Sequence, residues 1–133
     1  EEYLNKLIKN NIKILIDVRK RAGSMKSESN KSQLRNACHG LGIEYEHIPE
    51  LGIDSEKRDH LNCQDDYDNL FNYYREKMLP DLLDKQQAIL TLLKEKKRIA
   101  LTCFEANIYY CHRRHLAESL SRIAEFTFLI KHI

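Results

Sequence analysis

Side chains that can do chemistry gather in one short stretch of the sequence. Cys103 and Glu105 come first, and His112 and Arg113 follow. A thiol close to cations and to a helix N-terminus has a lowered pKa and acts as a nucleophile. Glu105 and His112 can transfer protons, and Arg113 can bind an anionic group. We predict catalytic roles for Cys103, Glu105 and His112 and substrate binding by Arg113. A buried cysteine that merely ends a strand is the alternative for Cys103.

The same stretch also contains residues that bind zinc in other proteins. Cys103, Cys111, His112 and His115 supply four nitrogen or sulfur ligands. Their spacing matches no common structural zinc pattern, although Cys111 and His115 share one face of a predicted helix. Zinc is therefore the alternative cofactor for this stretch. For His115, the simpler interpretation is a histidine that is exposed or satisfied by hydrogen bonds.

A second candidate cluster follows an apolar run near the start of the chain. Asp17 and Arg19 are two residues apart, so they lie on the same face of a strand and can pair. A carboxylate at the end of a buried strand has to be paired, hydrated or used in function. The pair either fixes the loop that follows, or Asp17 orients Arg19 towards a phosphate or carboxylate. In the second case Asp17 belongs to the catalytic group and Arg19 binds substrate.

The segment after this cluster is basic. From Arg19 to Arg35 there are six Lys or Arg residues and one acidic residue. Such a segment can follow a nucleic-acid backbone, although an ordinary solvated loop has the same composition. Within the segment, Ser24 and Lys26 are candidate substrate-binding residues. Glu50, which follows a later predicted strand, completes that set.

Hydrophobic periodicity predicts the elements that must position these residues. Predicted strands cover 12–19, 43–48, 99–103 and 126–130, and predicted helices cover 3–9, 31–40, 65–78, 81–95 and 111–123. This alternation predicts a single α/β domain, a three-layer sandwich with a small, mainly parallel Rossmann-like sheet between helices. Ligands bind at the carboxyl ends of the strands in such sheets. Asp17, His47 and Cys103 all stand near predicted strand ends.

Composition narrows the class of protein. The chain has 133 residues, of which 42% are hydrophobic and 32% charged, and its net charge is +2. This length suits one domain over residues 1–133. No apolar run approaches the ~20 residues that span a bilayer, so we expect no membrane segment. No secretory signal is visible and the four cysteines need no disulfides, so we expect a cytoplasmic protein with reduced thiols.

Three stretches together resemble the domain of unknown function 488 family. They are 15–19 (Leu-Ile-Asp-Val-Arg) with 24–26 (Ser-Met-Lys), 42–45 (Gly-Ile-Glu-Tyr) through 49–53 (Pro-Glu-Leu-Gly-Ile), and 101–105 (Leu-Thr-Cys-Phe-Glu) through 111–113 (Cys-His-Arg). The resemblance covers nearly the whole chain and implies a parallel, Rossmann-like α/β domain. The polar cluster that it implies consists of Asp17, Arg19, Cys103, Glu105, Cys111, His112 and Arg113. It implies no particular reaction.

The resemblance also shows where this chain departs from its relatives. Family members open with a strand that ends in a Gly-His-Ser-like turn, so we expect that this N-terminal strand is missing here. A weaker similarity is to the rhodanese-like fold, but Tyr109 stands where the anion-binding loop after Cys103 would carry an arginine. We expect an enzyme that acts on a phosphate-bearing nucleotide or nucleic acid. The alternatives are a nucleic-acid or nucleotide binding module without turnover, rhodanese-like thiol chemistry and a zinc-stabilised scaffold.

Overall fold

The computed structural model describes residues 2–20, 31–53, 63–102 and 112–131. The helices and strands are α1 (Glu2–Lys9), β1 (Ile14–Asp17), α2 (Lys31–Gly40), β2 (Glu44–His47), α3 (Gln64–Tyr73), α4 (Leu83–Lys96), β3 (Ile99–Thr102) and α5 (Arg113–Ile123). None of the helices in these ranges is both long enough and apolar enough to cross a bilayer.

The described strands form one parallel sheet in the order β2-β1-β3. All four residues of β1 are buried, because β1 has a strand on each side and helices over each face. Such a strand must be apolar on both faces, and the run from Ile14 to Ile16 meets that requirement. In β2, exposed and half-buried residues alternate, as predicted for a strand at the edge. The predicted parallel α/β class is confirmed.

Alternate residues of β1 face two separate apolar clusters. Leu15 packs with Leu7 of α1 and Cys38 of α2 on one face of the sheet. Ile14 and Ile16 belong to a larger cluster on the other face, built with α3, α4 and α5. The period of two along a strand thus divides the side chains between two helical layers. This is the three-layer arrangement that the alternating pattern predicts.

The two helices predicted over 65–78 and 81–95 are in fact one continuous helical path with an irregular centre. A single wide turn at Tyr74–Met78 and a tight turn at Leu79–Leu82 separate α3 from α4. Pro80 has no amide hydrogen, so a regular helix cannot pass through this point. The irregular turns bury both Tyr74 and Leu79, and the Tyr74 hydroxyl donates a hydrogen bond to the carbonyl of Leu51 at 2.7 Å.

Buried Gln86 joins α4 to its neighbours. Its Nε2 donates to the carbonyl of Leu79 at 2.9 Å, and its Oε1 accepts from the Ser119 hydroxyl at 2.6 Å. We expect Gln86→Ala to lower the free energy of unfolding by about 1–3 kcal/mol, because both partners lose a buried hydrogen bond. Urea denaturation measures the change, and Gln87→Ala at the exposed neighbouring position is the control. Equal effects at the two positions would contradict the role of Gln86.

The fourth strand predicted over 126–130 is wrong. After α5 the chain runs to residue 131 without regular structure. Phe126 and Phe128 pack against the core with ring centroids 5.9 Å apart, while Leu129 is 98% exposed. A strand needs a hydrogen-bonded neighbour, and no ladder joins this segment to the sheet in the ranges described. The alternation of Phe126 and Phe128 therefore comes from packing on the surface of the core. This alternation has the same period of two residues as a strand.

Candidate functional site

The order of the strands makes the carboxyl ends of β1 and β3 the expected position of a ligand site. From the central strand β1 the chain passes to β2 on one side, and later reaches β3 on the other side. Open parallel sheets bind ligands where the strand order reverses in this way. Asp17 and Thr102 are partners in the register at this point. His112, just before α5, contacts the residue after Asp17, so its side chain lies at the same end of the sheet.

Asp17 and Arg19 form a buried, bidentate ion pair. Arg19 Nε lies 2.8 Å from Asp17 Oδ1, and Arg19 Nη2 lies 2.6 Å from Oδ2. The exposed fractions of the two residues are 0% and 3%. Burial alone would lower the pKa of Arg19, but the hydrogen bond and charge of Asp17 raise the pKa above its ordinary value. The pair predicted from the spacing is confirmed, and the guanidinium stays charged.

Tyr45 is part of this cluster, although sequence reasoning did not identify it. Its hydroxyl donates a hydrogen bond to Asp17 Oδ2. In the register Tyr45 lies opposite Leu15, on the same face as Asp17, and a long ring reaches the diagonal neighbour. Burial, followed by the bond to Asp17, raises the pKa of Tyr45, so its hydroxyl keeps its proton. Ile43 and Tyr45 alternate with charged residues, and this pattern is the sequence signal that could have predicted an inward-facing Tyr45 ring.

Two histidines hold the backbone that follows β1. His47 Nε2 lies 2.7 Å from the carbonyl of Arg19, and His112 Nε2 lies 3.0 Å from the carbonyl of Val18. A carbonyl oxygen only accepts hydrogen bonds, so Nε2 carries the proton in both rings. In neutral His112 the basic nitrogen is then Nδ1. The rings of Tyr74 and His112 pack in a T-shaped arrangement with their centroids 5.3 Å apart, and this contact helps to fix the orientation of His112.

The first turn of α5 is basic, although this end of a helix disfavours positive charge. Arg113 and Arg114 open the helix, and the turn contains no acidic residue. The macrodipole makes this end positive, so cations there are unfavourable unless an anion compensates them. Arg114 Nε has a partner in Glu118 Oε2 at 3.5 Å. Tyr3 of α1 lies near Thr102 and Arg113. Desolvation raises the pKa of Tyr3, and the interactions with Thr102 and Arg113 offset part of that rise, so these three residues share one corner.

His115 lies apart from this corner and has a structural environment. Its Nδ1 accepts a hydrogen bond from Arg75 Nη1 at 2.8 Å, and its ring lies 4.7 Å from that of Phe71. Burial, followed by the charges of Arg75 and Arg114, lowers the pKa of His115 to about 4. The interpretation of His115 as a histidine satisfied by hydrogen bonds is confirmed.

The depressed pKa of His115 predicts a loss of stability in acid. In the unfolded chain a histidine titrates near pH ~6.5, so between about 6.5 and 4 the unfolded state binds more protons. The stabilising contribution is complete above pH ~6.5 and is lost as the pH falls towards 4. We expect His115→Gln to flatten the dependence of the free energy of unfolding on pH in this window, measured by urea denaturation. His39→Gln, at an exposed histidine, is the control and should follow the unchanged protein. Parallel curves for all three proteins would contradict the assignment.

Of the other predicted site residues, the structure describes only Glu50. Glu50 is in a short turn, Pro49–Leu51, where it is exposed and lies 3.8 Å from Lys85 Nζ. Among the described residues, no contact joins Glu50 to the Asp17–Arg19 pair. The remaining predicted residues, Ser24, Lys26, Cys103, Glu105 and Cys111, lie outside the described residues.

The alternative zinc site is only partly in view. Of its four candidate ligands the structure describes His112 and His115, whose ring nitrogens bond Val18 and Arg75 respectively. Within the described ranges, no three His, Cys, Asp or Glu side chains come together as metal ligands would. The described cluster at the carboxyl ends of the strands therefore consists of an ion pair, two histidines, tyrosines and the basic first turn of α5. This set is suited to anion binding and proton transfer.

Comparison with known proteins agrees with the resemblance in the sequence. No curated protein and no solved structure gives a significant match. One family model, described as "Domain of unknown function DUF488", matches residues 1–120. This match covers the three strands, the ion pair and most of α5. The chain belongs to the DUF488 family of domains of unknown function.

Proposed function

We propose that the chain is an enzyme that acts on a phosphate-bearing nucleotide or nucleic acid at the carboxyl ends of β1 and β3. The observation that carries this proposal is the basic first turn of α5, which follows His112 at that end of the sheet. Backbone amides at a helix N-terminus bind phosphate, and a nearby arginine adds charge-assisted hydrogen bonds. The positive end of the helix macrodipole and the charge of Arg113 both favour an anion at this position.

The neighbouring residues support distinct roles around a bound phosphate. Asp17 holds the plane of the Arg19 guanidinium by two hydrogen bonds, so Arg19 is a positioned cation. The bond from His112 Nε2 to the Val18 carbonyl makes Nδ1 the basic nitrogen of the neutral ring, and we assign proton transfer to it. On sequence grounds Cys103 is the proposed nucleophile and Glu105 the second acid or base.

Binding of phosphate tests the first part of this proposal. We expect saturable binding of a mononucleotide or a short oligonucleotide in calorimetry, with an affinity that falls as salt is raised. Arg113→Gln should weaken binding by about 10- to 100-fold, the range for a lost charge-assisted bond. Arg122→Gln is the matched control, because Arg122 lies in the last turn of the same helix. Equal losses in the two variants, or no binding by the unchanged protein, would contradict the proposal.

Turnover tests the second part and separates an enzyme from a binding module. Product formation from the bound nucleotide can be followed by phosphorus NMR. His112→Gln retains a donor for the Val18 carbonyl but cannot titrate. We expect it to reduce turnover by about 10²- to 10⁴-fold and to change affinity little. Salt-dependent binding with no turnover in the unchanged protein would instead identify a binding module.

A further inference from the structure

A closed circuit of contacts includes His112, the residue to which we assign proton transfer. Tyr74, in the wide turn that follows α3, is fully buried. Its hydroxyl donates to the carbonyl of Leu51 at 2.7 Å, and its ring packs against that of His112. His112 Nε2 donates to the carbonyl of Val18 at 3.0 Å. Gly52, the residue after Leu51, lies against that same carbonyl, so the contacts return to their starting point.

The circuit fixes the position of the Val18 carbonyl, and this position sets the form of His112. The Val18 amide is already held by the carbonyl of Thr102 at 3.0 Å. With the Val18 carbonyl in place, Nε2 of His112 is the protonated nitrogen, because a carbonyl oxygen only accepts. A displaced carbonyl would bring the two neutral forms of the ring closer in free energy. Nδ1 would then be the basic nitrogen in only a part of the molecules.

The wide turn at Tyr74–Met78 is the local feature that lets Tyr74 reach both partners. Such turns are rare, interrupt helices as single turns and occur often at functional sites. A tyrosine in the core needs a partner for its hydroxyl, and here the partner is the turn that precedes Gly52. One side chain therefore contacts His112 directly and supports the acceptor of His112 from the other side.

We propose that Tyr74 is a positioning residue, which holds His112 with Nε2 protonated and Nδ1 as the base for proton transfer. It acts through its ring contact and, by way of Leu51 and Gly52, through the Val18 carbonyl. The inference rests on the proposed function, since it assigns Tyr74 to the site proposed there. Tyr74 itself is fully buried, so its effect on substrate passes through His112.

Nitrogen-15 NMR of the His112 ring in the whole chain tests the proposal. A protonated ring nitrogen and an unprotonated one have well separated shifts, so the spectrum of neutral His112 measures the two forms directly. Tyr74→Phe keeps the ring and removes the hydroxyl. We expect it to raise the population of the Nδ1-protonated form about three- to tenfold, the range for one weakened hydrogen bond. Identical ring shifts in the two proteins would overturn the proposal.

Two control variants separate positioning from a general loss of stability. Tyr73→Phe removes a hydroxyl at the exposed neighbouring position. Gln86→Ala removes buried hydrogen bonds to Leu79 and Ser119, which lie outside the circuit. Both variants should leave the His112 shifts unchanged. If Gln86→Ala moves them as Tyr74→Phe does, the effect is a loosening of the whole core and the proposal fails.

A rescue variant covers the case in which Tyr74→Phe folds poorly. Incorporation of 4-aminophenylalanine at position 74 places a donor at the same end of the ring, within reach of the Leu51 carbonyl. We expect this variant to have the His112 shifts of the unchanged protein. Shifts that differ from them, with the fold retained, would contradict the role of the Tyr74 hydroxyl.

Turnover distinguishes failure of this inference from failure of the proposed function. We expect Tyr74→Phe to lower kcat about 10-fold and to change KM little, because a misplaced catalytic group slows the chemical step. Equal kcat in Tyr74→Phe and the unchanged protein would contradict the role of Tyr74 alone. Absence of turnover in the unchanged protein would contradict the proposed function. The NMR comparison needs no substrate, so it decides in either case whether Tyr74 holds His112.

Discussion

Replacement of Asp17 with asparagine is expected to lower the free energy of unfolding by about 3–5 kcal/mol, the range for a buried ion pair that loses one partner. Arg19 is 3% exposed, so its charge would remain in the interior without a compensating carboxylate. The Tyr45 hydroxyl would also lose its charged acceptor. Urea denaturation followed by circular dichroism measures the change. A chain of this size has about 5–15 kcal/mol of stability, so this variant loses a large fraction.

Two control variants show whether the loss comes from the buried pair. Asp68→Asn alters an exposed aspartate that accepts from Gln64, and should change stability by less than about 0.5 kcal/mol. Arg19→Met combined with Asp17→Asn removes both charges, so it should destabilise by less than the sum of the single variants. Additive effects of the two substitutions would contradict a direct pair.

Replacement of Gly52 with alanine is expected to lower the free energy of unfolding by about 3 kcal/mol, because a side chain has no room there. A Cβ atom at Gly52 would lie 2.8 Å from the Val18 oxygen, 2.9 Å from the Arg19 carbonyl carbon and still closer to the Lys20 amide. These are backbone atoms, so they cannot rotate away as a flexible side chain would. The φ angle of Gly52 is −91°, which any residue adopts, so the cost is steric. Thermal or urea denaturation measures the loss.

Gly40→Ala is the matched control for this substitution. Nothing lies within 4 Å of a Cβ at Gly40, at the end of α2, so alanine there should be neutral or slightly stabilising. The segment that Gly52 contacts contains Arg19, so Gly52→Ala should also weaken phosphate binding. If Gly52→Ala is as stable as Gly40→Ala, the turn at Pro49–Leu51 moves away freely, and the close approach is not a constraint on the site.

Part of the candidate site could be predicted because its geometry is local. Asp17 and Arg19 are two residues apart at the end of an extended run, and that period alone puts them on one face. The strand ends of a parallel sheet meet at one edge, so the approach of His47 to the end of β1 also follows from the order of elements. No such argument reaches Tyr45, whose contact with Asp17 depends on the register between β1 and β2.

Some features could not be predicted because two different local backbone structures can have the same sequence pattern. Phe126 and Phe128 alternate as in a strand, but alternation also suits an irregular segment that packs on a core. The helical spacing from Tyr67 to Met78 continues through the wide turn at Tyr74–Met78, since apolar spacing does not distinguish helices of different width. In both cases the same local sequence pattern fits the predicted element and also the packing that the structure shows.

The sequence by itself determined the α/β class, the central buried strand and the pairing of Asp17 with Arg19, because each depends on residue types at short, regular spacing. Only the tertiary structure decided that Tyr45 joins that pair, that His112 bonds the Val18 carbonyl beside it, that His115 belongs to the core, and that Tyr74 contacts both His112 and the turn before Gly52. These features depend on which strands are neighbours and in what register, and on how the helices pack over the sheet. Such relations join residues far apart in the chain, and periodicity within one segment contains no information about them.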